Sequence, residues 1–200
     1  MSTQARTLTF TRTIQGQLLL ATGFALLTAL GALVQINIGP VPITLQVLFV
    51  LLSGLVLGSR LGALSQIEYL AIGFAGAPVF AGGKAGLIAL LGPTGGYLVG
   101  FVAGAYLAGL VAESASRPGR VRFFLAGLLG TAAIYLSGMI WLSTWFAIGR
   151  GTSWMAELSS AWQFGVLPFI GVDAVKALVA SGVTLSGRAL SRRIVDLSGR

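Results

Sequence analysis

The sequence predicts an all-α integral membrane protein of six transmembrane helices, with both termini cytoplasmic and glycine- and proline-rich outer loops capping a pocket. Hydrophobic residues make up 56% of the chain and charged residues only 9%, against about 25% charge in an ordinary soluble domain. Several apolar runs approach the roughly 20 residues a helix needs to cross about 30 Å of hydrocarbon. The basic residues gather at the ends of those runs, which explains a net charge of +8 without invoking nucleic acid. We read residues 1–200 as one membrane domain, with a cytoplasmic lead over 1–13 and a basic cytoplasmic tail over 187–200.

The first helix is expected over about Leu18–Val34, where Ala21, Ala25 and Ala29 recur every fourth residue. Small residues at that spacing make a flat strip that another helix can approach, within the chain or in another subunit. Asn37, Gly39, Pro40 and Pro42 then break the pattern. Helix two, about Leu45–Leu57, is short, with Gly54, Gly58 and Gly62 at fourfold spacing and Arg60 marking its end. Helix three, about Leu61–Phe74, carries Glu68, an acid below the interface for which pairing with Arg60 or protonation is the plain expectation. The stretch from Gly76 to Gly92 is apolar, rich in glycine and polar only at Lys84, so it reads as a re-entrant or capping loop.

Helix four, Pro93–Glu113, bears a second strip of Gly96, Gly100, Gly104 and Ala108. A turn at Pro118-Gly119 with Arg117, Arg120 and Arg122 precedes helix five, about Phe123–Phe146. Trp145, Trp154 and Trp162, at its end and in the loop that follows, suit an interfacial belt, whereas Trp141 lies deeper. Helix six, Phe164–Ser186, takes Pro168 in its first turn, where a missing N–H does no harm. Arg6, Arg12, Arg60, Arg117, Arg120, Arg122, Arg188, Arg192, Arg193 and Arg200 fall on one side of these helices, and only Lys84 and Arg150 on the other. Positive charge marks the inside, so the loop after helix one, the Lys84 loop and the entry to helix six face out.

Helix six carries Asp173 and Lys176 within its apolar span. An ionised side chain there costs at least about 2.5–3.5 kcal/mol, so it persists where it pairs, lines a cavity or binds something. Three residues apart on a helix, the two share a face. Under two glycine-rich outer loops they describe a closed external binding pocket better than a plain structural ion pair.

The absence of cysteine and histidine removes thiolate chemistry, the commonest neutral-pH base and the usual transition-metal ligands. No catalytic residue, metal site or cofactor is expected. Gly82-Gly83-Lys84-Ala85 lacks the first glycine and the Ser/Thr of a phosphate-binding loop, so ATP hydrolysis by that route is not expected.

Several stretches lie in one order: Gly39-Pro-Val-Pro-Ile-Thr-Leu-Gln46, Leu61-Gly-Ala-Leu-Ser65, Pro78-Val-Phe-Ala-Gly-Gly83, and Leu91-Gly-Pro-Thr-Gly-Gly-Tyr97 with Gly100-Phe101. They continue in Gly138-x-x-Trp141-Leu142 and in Gly165-Val-Leu-Pro-Phe169 followed by Asp173-x-x-Lys176. Together they resemble the BioY family, the substrate-binding S components of energy-coupling-factor biotin transporters. The resemblance covers nearly the whole chain. It implies a multi-pass S component in the plasma membrane of a prokaryote that binds biotin under its outer loops. It also implies partnership with a transmembrane coupling subunit and two ATPases.

Asp173 and Lys176 match the family's Asp-x-x-Lys in the biotin site, and Ala21, Ala25 and Ala29 match its docking motif. Phe80, Gly83, Tyr97 and Trp141 would wall the ligand, and at Gly82, where some members carry a polar residue, a ligand hydrogen bond would be missing or supplied by Lys84. This chain departs from the family pattern at Gly171-Val172, at Ile140 and at Glu68. Other readings are an S component for another vitamin, a membrane enzyme using Glu68, Asp173 or Lys176, and a purely structural membrane partner.

Overall fold

The structure, a computed structural model, describes residues 13–114 and 119–198. Arg6, Arg12, Arg117 and Arg200 of the orientation count, and nearly all of the N-terminal lead, lie outside the described residues. Helix α1 spans Ile14–Leu33, with the Thr13 hydroxyl accepting from the Gly16 N–H at 3.1 Å. A two-residue antiparallel hairpin follows, β1 Gln35–Ile36 and β2 Ile43–Thr44, turning through the Asn37–Pro42 stretch. Helix α2, Gln46–Leu57, and α3, Ser59–Phe74, meet at Gly58, whose φ of +89° suits a residue without Cβ. After a loop and one helical turn, α4 at Ile88–Leu91, come α5, Gly95–Glu113, and α6, Arg120–Arg150. A 3-10 turn at Trp154–Glu157 leads into α7, Leu158–Gly165, and the chain closes with α8, Ile170–Ser198.

The six expected segments fold largely as helices, but among the described residues four helices are long and apolar enough to cross a membrane: Ile14–Leu33, Gly95–Glu113, Arg120–Arg150 and Ile170–Ser191. Helices α2 and α3, with 12 and 16 residues, reach only about 18 and 24 Å at 1.5 Å per residue. The last helix begins at Ile170, six residues later than expected, because Phe164 and Gly165 finish α7. Proline disfavours helical backbone at the preceding Leu167, and the Val166 and Leu167 N–H groups both fold back onto the Trp162 carbonyl. At its other end α8 runs on through residues expected in the tail.

The glycine strips are spent inside the chain. A Cβ on Gly54 would sit 2.2 Å from the Ala105 carbonyl oxygen, and one on Gly96 would sit 2.2 Å from Trp141 Cβ. Backbones of α2 and α5, and of α5 and α6, therefore touch where no side chain intervenes. Ala21 and Ala25 are likewise buried and Ala29 is half-buried. Ala21 and Ala25 pack within the chain, and α1 turns Leu18, Leu19, Leu26, Leu30 and Leu33 outward.

Glu68 meets neither Arg60 nor Asp173; it accepts a hydrogen bond from the Thr22 hydroxyl at 2.9 Å and so ties α3 to α1. Glu113 reaches from α5 to the start of α3, where the Ser59 N–H and hydroxyl donate to its two carboxylate oxygens at 2.9 and 2.8 Å. This closes an otherwise open helix N-terminus with a negative group. Trp145, Trp154 and Trp162 stand exposed near the opposite end, as a belt requires.

Two tests follow from this packing. Gly54→Ala forces the α2 and α5 backbones apart and should cost about 1–3 kcal/mol, read as a lower unfolding midpoint in detergent; an unchanged midpoint would show that the contact is slack. Outside the spans, Glu157 accepts from Thr152 at 2.8 Å and pairs with Arg150 at 2.6 Å. The Thr152 bond, ahead of the Arg150 charge, lowers its carboxyl below the usual range. A depressed folded-state pKa adds stability above the unfolded value and loses it as pH falls through the folded one. Glu157→Gln should therefore unfold at a lower midpoint than wild type at pH 7, with the gap closing below pH 4.

Candidate ligand-binding site

One end of the bundle holds a mostly apolar cavity of about 50 Å³ for the centre of a water-sized sphere, enough for several waters. Its walls come from five segments: the hairpin and start of α2, the loop after α3, the start of α5, the middle of α6 and the start of α8. Asp173 and Lys176 line it together, 1% and 6% exposed, with Lys176 Nζ 2.6 Å from Asp173 Oδ1. Asp173 lies in the first turn of α8, where the positive end of the helix dipole favours a carboxylate. Its other oxygen, Oδ2, accepts from the Tyr135 hydroxyl at 2.7 Å. The buried carboxylate thus has a cation and a donor, which is what keeps such a group tolerable away from water.

A second polar group faces the same cavity. Gln46 donates through Nε2 to the Tyr69 hydroxyl at 2.6 Å, and Tyr69 donates onward to the Val79 carbonyl at 3.2 Å. Thr44 donates to Gln46 Oε1 at 3.1 Å. This chain of bonds joins the hairpin to the loop after α3, with each donor and acceptor assigned a partner.

That loop packs its apolar side chains against the cavity end of the bundle. The Gly83 N–H donates to the Phe80 carbonyl and the Phe80 N–H to the Lys84 carbonyl, a tight turn that Gly82 and Gly83 permit with φ of +76° and +69°. It drives Phe80, 3% exposed, into a notch over Gly73, edge-on to Tyr69 with ring centroids 5.5 Å apart. Gly83 and Lys84 themselves are exposed on the outer surface of the turn.

Of the residues singled out in the sequence, the structure brings Asp173, Lys176, Phe80 and Tyr97 into one cavity. Tyr97 also donates to the Gly165 carbonyl at 2.8 Å, in a space that Gly138 and Gly165 leave open. Trp141 stands outside that cavity. It packs on Gly96 and donates to the Gly92 carbonyl at 2.8 Å, pinning α6 to the segment that leads into α5. Sequence reasoning did not single out Tyr135 and Gln46, which line the cavity, or Tyr69, which bonds to Gln46 behind it. A lone tyrosine at mid-span in Ala132-Ala-Ile-Tyr135-Leu136, far from either interface belt, was the available signal for the first.

The BioY family model matches residues 2–193. The chain belongs to the BioY family. A probable biotin transporter BioY of Pyrococcus horikoshii is 45% identical over 157 residues, covering 78% of this chain and 86% of that protein. The biotin transporter BioY of Thermotoga maritima is 38% identical over 169 residues, covering 84% and 94%. A crystal structure of the S-component for biotin from an ECF-type ABC transporter superposes with a TM-score of 0.74 at 25% identity, covering 94% of this chain and 95% of that one. Within this BioY fold, the motif glycines Gly138 and Gly165 make room for Tyr97, and the Pro78–Gly83 motif builds the turn that seats Phe80.

The notch predicts its own test. A Cβ on Gly73 would lie 2.1 Å from Phe80 Cζ, so Gly73→Ala must lift the ring and loosen the cap. Limited trypsin digestion should then cut after Lys84 several-fold faster than in wild type; equal rates would mean that Phe80 does not hold the loop.

Proposed function

We propose that this protein captures biotin in the cavity that holds Asp173 and Lys176 and, as an S component, delivers it inward with a separate ATP-driven coupling module. The carrying observation is that the buried, paired Asp173 and Lys176 line a mostly apolar cavity beneath a capping loop, in a chain of the BioY family. Biotin has an apolar sulfur ring, a ureido group and a carboxylate. A mostly apolar cavity with a few polar anchors suits such a molecule. Lys176 can donate to an oxygen, and the Asp173 carboxylate can accept an N–H in a charge-assisted bond.

In this reading the chain crosses the plasma membrane of a prokaryote six times with both termini cytoplasmic, and α2 and α3 complete their crossings with the hairpin and cap at the outer side. The charge asymmetry of the loops supports that orientation. Partners are a transmembrane coupling subunit and two ATPases. Contact with the coupling subunit is assigned to α1, which carries the Ala21, Ala25 and Ala29 strip beside an exposed leucine face. Biotin is cargo rather than cofactor. Glu68 lies away from the cavity on Thr22, so it forms no acid–base constellation with Asp173 and Lys176.

Calorimetric titration of biotin into the purified, detergent-solubilised protein tests the assignment, with Asp173→Asn alongside and thiamine and riboflavin as competitors. Wild type should bind biotin, and the variant should bind it about 1–3 kcal/mol more weakly through loss of a charge-assisted bond. Undiminished affinity in Asp173→Asn would remove Asp173 from the site. Displacement by thiamine or riboflavin would move the protein to another vitamin.

A further inference from the structure

Asp173 has two partners among the described residues, and they differ in stiffness. Lys176 reaches Oδ1 from the next turn of the same helix on a four-carbon stem, whereas Tyr135 reaches Oδ2 from α6 on a rigid ring. A lysine ammonium carries three donors. Asp173 takes one, and the other two have no protein acceptor among the described residues, although Lys176 lines the cavity. Without a second anchor the carboxylate could turn about its own side-chain bonds and take the ammonium with it. The Tyr135 bond removes that freedom. It also holds α8 to α6 at the point where both meet the cavity, with Ile134 beside it in the wall.

We propose that Tyr135 is a positioning residue of the binding site, holding the Asp173 carboxylate so that the carboxylate and the spare Lys176 donors face ligand in one fixed arrangement. This rests on the cavity being the biotin site. Tyr135 itself acts through Asp173. Preorganisation of this kind lowers the ordering cost of binding rather than adding a new contact.

The test is a double-mutant cycle by calorimetric biotin titration on the detergent-solubilised chain: wild type, Tyr135→Phe, Asp173→Asn and the double variant, each with its unfolding midpoint. Phenylalanine keeps the ring and loses only the hydroxyl. Tyr135→Phe should bind biotin about tenfold more weakly, a loss of about 1.4 kcal/mol. Against asparagine the tyrosine bond is neutral and about half as strong, so the same change in the Asp173→Asn background should cost about threefold or less. An unchanged dissociation constant in Tyr135→Phe, or an equal loss in both backgrounds, would overturn the proposal. So would a lowered midpoint with unaltered affinity, which would make Tyr135 purely structural. Failure of wild type to bind biotin would overturn the functional reading and this inference with it. Binding by wild type with no effect of Tyr135→Phe would overturn this inference alone.

Discussion

Close approach of helix backbones is the condition on which the rest of this protein depends. Lipid tails are as apolar as leucine, so transmembrane helices gain little from hiding apolar side chains from them and cohere through packing and interhelical hydrogen bonds. Here Gly54 lies on the Ala105 carbonyl, Gly62 on Gly54, Gly104 on Ile134 and the Gly130 carbonyl, and Gly109 on Ser59. These contacts lock α2, α3, α5 and α6 into one body, and the cavity lies at its end, lined also by the hairpin, the loop after α3 and the start of α8.

On that body the polar groups are few and mostly satisfied. Asp173 holds Lys176 and Tyr135; Gln46 holds Thr44 and Tyr69; Glu68 holds Thr22; Glu113 holds Ser59. Each joins segments distant in the chain or fixes a side chain against the cavity. In a medium where an unmade hydrogen bond costs several kcal/mol, such links favour one arrangement over its neighbours. The exceptions among buried side-chain atoms of the described residues are Gln66 Oε1 and Ser143 Oγ.

The loop after α3 shows how local backbone chemistry shapes the wall of the cavity. Glycines with positive φ turn the loop sharply enough to aim Phe80 inward, Gly73 leaves the notch that receives it, and Tyr69 both stacks on the ring and bonds to the loop backbone. The loop after α3 is thus fastened at three points yet carries no long element of its own.

Legible along the chain were the helical class, the order of the apolar segments, the glycine-rich break between Gly76 and Gly92 and the shared face of Asp173 and Lys176. These depend on composition, on local breakers and on residues three apart, all of which are readable along one dimension. It also carried the family motifs. Tertiary structure alone decided which small-residue strips face inward, and so spent Ala21 and Ala25 within the chain. It likewise placed Trp141 behind the cavity rather than in it, gave Glu68 to Thr22 instead of Arg60, and brought Tyr135 to Asp173 from another helix. Helical periodicity says which residues share a face, but the rotation of that face about the helix axis is set by the neighbours it packs against.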